Sequence, residues 1–335
     1  MGGSARRGSA LLAVLWLSAA LAAIAFSLAA TVRGEIEHTS TTLDGTRAYY
    51  LATGAIQRAL IYMQWGQVYK APDGSSRYFQ PGTVELRFSF PTGEAIVEIA
   101  PENAKLGLNR ISPAELNRLL SVLGAGQASE LTRAIVDWRT PLTEAGLTEF
   151  DFYYQGLTPS FRAPHTSYQH VEELLAVRGM TPELFFGSLA HDPRGGLVER
   201  PGLMDCLSVY TSGAVVDANT AAAPVLAAVG LGEGEVGLIV EARRRQPFRS
   251  ARELADIGLR PESLARLSVG GGPVYTLRAT AKLRLADGKL SDLSRTAGAT
   301  VAFGEGPVGL GYQVLRWRDW ALTGNEAWTP ERYLQ

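Results

Sequence analysis

The side chains that could do chemistry are few. Four histidines (His38, His165, His170 and His191) and one cysteine, Cys206, are the whole stock of imidazole and thiol groups. His165 and His170 stand five apart in a Pro- and Ser-containing stretch, which reads as surface rather than as a metal pair. Cys206 follows Asp205 inside the apolar run Leu203 to Tyr210 with no nucleophile motif around it, so it reads as a small buried hydrophobe. A single cysteine also excludes an internal disulfide framework and a multi-cysteine zinc centre. No Gly-x-Ser-x-Gly elbow, Walker loop or dinucleotide fingerprint is present, so the chain reads as non-enzymatic. Arg243-Arg244-Arg245 and Arg249 form one local basic run beside a glycine turn. Such a run can hold nucleic-acid phosphate together with the turn's amides; the plainer reading is a solvated helix face. Trp317 and Trp320 flank Arg318-Asp319 and read as a strand end packed on a sheet, a partner contact being the other reading.

Composition narrows the class. The 335 residues hold 32 Lys+Arg against 33 Asp+Glu, a net charge of −1, which argues against a globally basic nucleic-acid binder. With 46% hydrophobic and 19% charged residues, the chain can bury a substantial core. Its 36 glycines and 17 prolines supply turns without a fibrous or disordered composition.

The N-terminus predicts a long helix that begins in a membrane. Arg6-Arg7-Gly8 precede an uncharged run from Ser9 to Val32 that ends at Arg33, slightly more than the roughly 20 residues that span a bilayer. Arg6 and Arg7 before the run, with Glu35 and Glu37 after it, put the N-terminus in the cytoplasm and the bulk outside. A cleaved signal peptide is the competing reading, with Ala23-Ile24-Ala25 as the small-residue cut site. Against it, Ala48, Ala52, Ala55, Ala59 and Tyr62 continue a helical stripe, and no proline falls between Ser9 and Ala71.

Two strand-rich stretches follow, separated by a helical excursion. Thr83 to Ile99 alternates around Pro91-Thr92-Gly93-Glu94 as a hairpin, and Val274 to Phe303 contains the turn pair Asp287-Gly288. Between them the chain repeats one device. Ser112-Pro113-Ala114-Glu115 opens a helix that ends at Gly124-Ala125-Gly126 before another helix to Trp138. Asn219-Thr220 opens a second pair around Gly230-Leu231-Gly232, and a short helix around Leu254 follows. Helix, glycine turn, helix is the helix-hairpin-helix arrangement. Strands that pair across it make a discontinuous domain.

Basic residues, Gly8 and an immediate apolar helix resemble the class III signal of type IV prepilins and type II secretion pseudopilins. Several segments are similar to the K-type minor pseudopilin of the type II (general) secretion pathway: Asn109–Pro113, Ala134–Arg139, Tyr153–Leu157, Val171–Leu184 and Val216–Thr220. The resemblance implies an α+β fold, with a pilin-like long N-terminal helix packed on a small antiparallel sheet and a large helical insert containing helix-hairpin-helix-like units. The expected divisions are a prepilin leader at 1–8, a transmembrane half-helix at 9–32, a discontinuous pilin-like domain at 33–110 and 268–335, and the insert at 111–267.

The same resemblance implies the function. A prepilin peptidase cuts after Gly8 and methylates Ser9. The subunit sits in the inner membrane of a Gram-negative bacterium, at the tip of a short periplasmic pseudopilus with the I- and J-type minor pseudopilins and other pseudopilus subunits, and serves assembly and protein export across the outer membrane. Most pilins carry glutamate at the fifth residue after the cut; here that residue is Ala13, which fits a tip subunit with no neighbour above it. The family also implies calcium (Ca2+) after the Asp-Trp pair. The loop here offers Asp137, Glu144, Glu149 and Asp151, but Arg139-Thr140-Pro141 stands where further carboxylates are common. The alternative is a membrane-anchored helix-hairpin-helix DNA-binding protein of a DNA-uptake system.

Overall fold

The computed structural model describes residues 5–320 except 73, 75, 81, 143–145, 192–195, 214 and 307–308. It opens on one unbroken helix, α1 (Ala5–Val68), of 64 residues. At 1.5 Å per residue that is about 96 Å of rod. From residue 11 to residue 43 the rod is exposed; from Ala48 onward Ala48, Ala52, Ala55, Ile56, Ala59, Leu60 and Met63 are buried. The small alanines of that stripe let the helix lie close on a sheet. Strands β1 (Glu85–Phe90) and β2 (Gly93–Pro101) form the expected hairpin about Pro91-Thr92. At its corner Gly93 lies so close to the next strand that a Cβ there would stand 2.2 Å from the Lys282 carbonyl oxygen, which excludes any side chain.

After β2 the chain leaves the sheet for the insert, which builds one frame twice. The first unit comprises β3 (Leu106–Gly107), α2 (Pro113–Val122), α3 (Ala128–Arg139), α4 (Glu149–Gln155), a 3-10 turn (Val171–Ala176), α5 (Pro182–Phe186), the two-stranded ribbon of β4 (Gly187–His191) and β5 (Leu197–Pro201), α6 (Leu203–Cys206) and β6 (Leu207–Ser208). The second comprises β7 (Val216–Asp217), α7 (Ala223–Ala228), α8 (Glu233–Arg245), α9 (Ala251–Ala255), α10 (Pro261–Leu264) and β8 (Leu267–Ser268). Each unit closes by a parallel pair of two-residue strands, β3 with β6 and β7 with β8, and the closing strand reads Leu-Ser in both.

The polar bonds of the frame match as well. The Asn109 side chain exchanges two hydrogen bonds with the Tyr168 backbone (2.8 and 2.9 Å), and Asn219 does the same with Phe248 (2.8 and 2.9 Å). Arg139, at the end of α3, donates to the carbonyls of Leu108 and Ile111; Arg243, near the end of α8, donates to those of Ala218 (3.1 Å) and Ala221 (2.7 Å). The tight turns between helices need Gly124 and Gly230, at φ 82° and 103°.

The arginine run is thereby corrected. Arg243 is neither a phosphate contact nor part of a solvated face: it is buried beneath α8 with Ile239 and Val240, because spacings of three and four put the three on one side. The rest of the run, Arg244, Arg245 and Arg249, is exposed.

Strands β9 (Val274–Arg284), β10 (Leu290–Gly306) and β11 (Gly309–Trp320) complete a five-stranded antiparallel sheet ordered β1-β2-β9-β10-β11. The β9–β10 turn is the expected one, with Gly288 at φ 84°. Alternate residues Tyr275, Leu277, Ala279 and Ala281 face α1 and join one core, while the insert has its own around Leu116, Ile135, Tyr154 and Leu226. The insert's core takes in Leu106 and Leu108, a few residues ahead of the expected boundary at 110/111.

Candidate functional site

Two regions remain as candidates: the exposed half of α1 and the acidic loop between α3 and α4. Leu11 to Val32 carry exposed Leu, Val, Ile, Trp and Phe side chains, among them Trp16 (74%) and Phe26 (79%), and α1 is long and apolar enough to cross a membrane. Ala13 lies on this exposed stretch. Gly8 and Ser9 fall on the α1 backbone, their side-chain surroundings outside the described residues.

In the acidic loop, a local rule sets the frame. Thr148 caps α4: its hydroxyl accepts from the Asp151 amide, and Asp151 accepts from the Thr148 amide at 2.9 Å. The Thr148 hydroxyl also lies 3.2 Å from Asp137 Oδ2, so one threonine joins two carboxylates. Asp151 is fully buried, which opposes its charge, yet the cap bond and His165 hold its carboxyl below the ordinary range. Asp137 goes the other way: burial, with the charges of Asp151 and Glu149 added, pushes it up.

His165 corrects the surface reading. Its side chain is only 8% exposed, its backbone is held at φ 47°, and Nε2 lies 2.9 Å from Asp151 Oδ1 while Nδ1 lies 3.0 Å from the Thr140 carbonyl oxygen. Both partners are acceptors, so the ring fills both bonds only as the imidazolium. Burial works against that charge, but the bonds to Asp151 and Thr140 outweigh it and raise the histidine's pKa. His170 is exposed, as expected.

The predicted calcium ligands are not gathered about one point. Glu149 turns to Arg133 at 2.8 Å, and Asp151 is taken by His165 and Thr148. Glu144 lies outside the described residues. Among the described residues no three acidic or imidazole groups could hold a metal ion together. The oxygen donors suit a hard cation, but as arranged they do not fit one. Arg139, which replaces an expected carboxylate, ties the end of α3 to the segment before α2.

The second hairpin's amides are likewise engaged internally. The Gly232 amide donates to Glu235 Oε2 at 3.0 Å, and Glu235 is bridged to Arg260 at 2.7 Å, which drives its carboxyl far down. That amide is thus already bonded to a carboxylate of the chain itself. Cys206 is fully buried, its thiol pushed up by burial, which fits the small-hydrophobe reading. Trp317 packs partly buried against the sheet core with Nε1 2.7 Å from Asp319 Oδ1; the Trp320 side chain lies outside the described residues.

Comparison with known proteins falls on the same units. Family profiles described as "Type II secretion system (T2SS), protein K" match residues 99–186 and 216–269, spans that begin just before the first and at the second frame. A protein of Klebsiella pneumoniae described as "Type II secretion system protein K" is 29% identical over 199 residues, 54% of this chain and 60% of that relative's length. A chain of the GspK-GspI-GspJ complex from enterotoxigenic Escherichia coli is 16% identical with a TM-score of 0.49, over 86% of this chain and 98% of that one. The resemblance read from the sequence is borne out.

Proposed function

We infer that this chain, a K-type pseudopilin by the match of both insert units, ends the pseudopilus of a type II secretion system and has no catalytic activity of its own. The observation that carries the reading is α1: one unbroken helix is apolar and exposed for its first half and seated on a sheet for its second. That form supports a single-pass anchor in the inner membrane, with the N-terminus cytoplasmic and the bulk periplasmic. Cleavage between Gly8 and Ser9 by a prepilin peptidase would leave Ala13 at the fifth position, without a carboxylate in the hydrocarbon layer. An insert of this bulk on the sheet favours the filament's end over its shaft. I- and J-type minor pseudopilins are the proposed partners there, and export across the outer membrane the purpose. DNA binding is disfavoured by the burial of Arg243 and the engagement of Gly232 by Glu235.

Site-specific photo-crosslinking along the exposed stretch of α1 in assembled pseudopili tests the position. Adducts confined to other subunits are expected, and a ladder of adducts between copies of this chain would place it in the shaft. N-terminal sequencing of the membrane-extracted protein should begin at Ser9; a start beyond Ala25 would instead mean a cleaved signal peptide.

A further inference from the structure

We propose that Glu172 fixes the angle at which the helical insert sits on the sheet. The two bodies have separate cores and are joined by the chain at two crossings, from β2 into the insert and from β8 back to β9. Both crossings lie at the ends of neighbouring strands, where Thr276 donates to Glu102 at 2.6 Å and the amides of Gly270 and Gly271 donate to Asp217 at 3.2 Å each. Together with the loop before β1, where Gly82 lies against Asn219 and Pro247, these hold the insert on the β1 side of the sheet and leave its β11 side to be fixed.

Glu172 supplies a second point of attachment. It belongs to the 3-10 turn at Val171–Ala176, and its carboxylate reaches Arg318 Nη2 at 2.7 Å and Arg316 Nη1 at 3.1 Å on β11. The two arginines are two residues apart, hence on one face of the strand. Strand β11 is the sheet's edge, two strands beyond β9, so the clamp stands about 10 Å across the sheet from the crossings. The turn itself is rooted in the insert: Leu174 is fully buried, and Glu173 accepts from the amides of Gln169 (2.7 Å) and His170 (2.8 Å). The frame does not need a carboxylate at this place. Glu253 of the second unit plays the part of Glu173, accepting from the Arg249 amide at 2.7 Å, and the residue before it is Arg252. Partly exposed ion pairs add little to folding stability, so the clamp's effect is orientation.

The consequence for export rests on the tip reading above; the clamp does not. Spin labels at Arg245→Cys in the insert and Asp292→Cys in the sheet, both exposed, report the angle in the detergent-solubilised full chain, since Cys206 is buried. Glu172→Arg should broaden the label-to-label distance distribution about twofold, as for an opened hinge, with hydrogen-exchange protection of α3 and β9 unchanged. Adding Arg316→Glu and Arg318→Glu to it should restore the narrow distribution. Should Glu172→Arg fail to fold, Glu172→Gln gives the same reading with less strain. A distribution that stays narrow in the single variant, or stays broad in the reversed triple, overturns the clamp. If the angle loosens but secretion is unaffected, the clamp stands and export does not depend on the angle.

Discussion

The two units of the insert share a frame and differ in what hangs from it. Both close with a parallel Leu-Ser strand, both pin an aromatic residue's backbone with an asparagine, and both set an arginine, half-buried as Arg139 and buried as Arg243, against two carbonyls of the segment before their first helix. The second unit goes almost directly from Arg243 to Phe248. The first inserts residues 140–167, with α4 and the acidic loop, and then the β4–β5 ribbon before its closing strand. What recurs is fold; what occurs once is free to serve another purpose. By that test Asn109, Asn219, Arg139 and Arg243 are structural, whereas Glu172, Asp151 and His165 stand outside the frame.

Removing a frame residue should have the largest effect. Asn219→Ala deletes two buried hydrogen bonds and strands the Phe248 amide and carbonyl, which should cost about 3 kcal/mol. Asn109→Ala should cost about the same, because its bonds to Tyr168 have the same geometry. Urea denaturation of a fragment beginning at Arg33 gives both values. If only one of the two is costly, the units are not equivalent and the frame argument breaks.

The elements of this frame were legible where their signals are local. The capping box of Ser112 and Glu115, the glycine turns, the Asp287-Gly288 hairpin and the burial of Cys206 can each be read within a few residues. The duplication was legible only as a repeated glycine turn, because the bonds that define it span 59 residues in one unit and 29 in the other. Arg243 was misread for another reason: three adjacent arginines look alike in sequence, and only the helix's rotation decides which one is buried. His165 was misread because the carboxylate that buries it comes from another element, and Glu172 meets its arginines 144 and 146 positions away. No periodicity carries such contacts.

An intermediate effect should come from pH, through His165 and Asp151 of the first unit. His165 has a raised pKa, so its contribution is full below the ordinary histidine value of 6.5 and is lost as pH rises through the folded value. Asp151 has a lowered one, so its contribution is full above the ordinary 3.8 and is lost as pH falls through the folded value. The pair is therefore strongest between these limits. Asp137 is shifted upward and opposes Asp151 on the acid side, which leaves the alkaline side as the clean readout. His165→Asn tolerates the positive φ and removes the charge. The difference in stability from wild type should be about 1–2 kcal/mol near pH 6 and should shrink as pH rises through the folded value, as expected of a charge-assisted hydrogen bond. A difference that does not change with pH would mean that the ring acts only by packing.

The smallest effect should be calcium's, and it sharpens the same comparison because only the first unit has the acidic loop. The oxygens of Asp137, Glu149 and Asp151 are the right donors for that ion, but each is committed elsewhere: Glu149 to Arg133, Asp151 to His165, and Asp137 to Thr148. A cation entering here must displace a guanidinium and lie against an imidazolium, which weakens binding by like-charge repulsion. Binding near the millimolar range adds well under about 1 kcal/mol at equal concentration, so millimolar calcium should raise Tm by less than about 2 °C. In His165→Asn the repulsion is gone and the rise should be larger, with added amide protection confined to α3 and α4 and none in α7 or α8. A rise of several degrees in the wild type would show that the loop regroups around the ion. A rise unchanged in His165→Asn would place the ion away from Asp151.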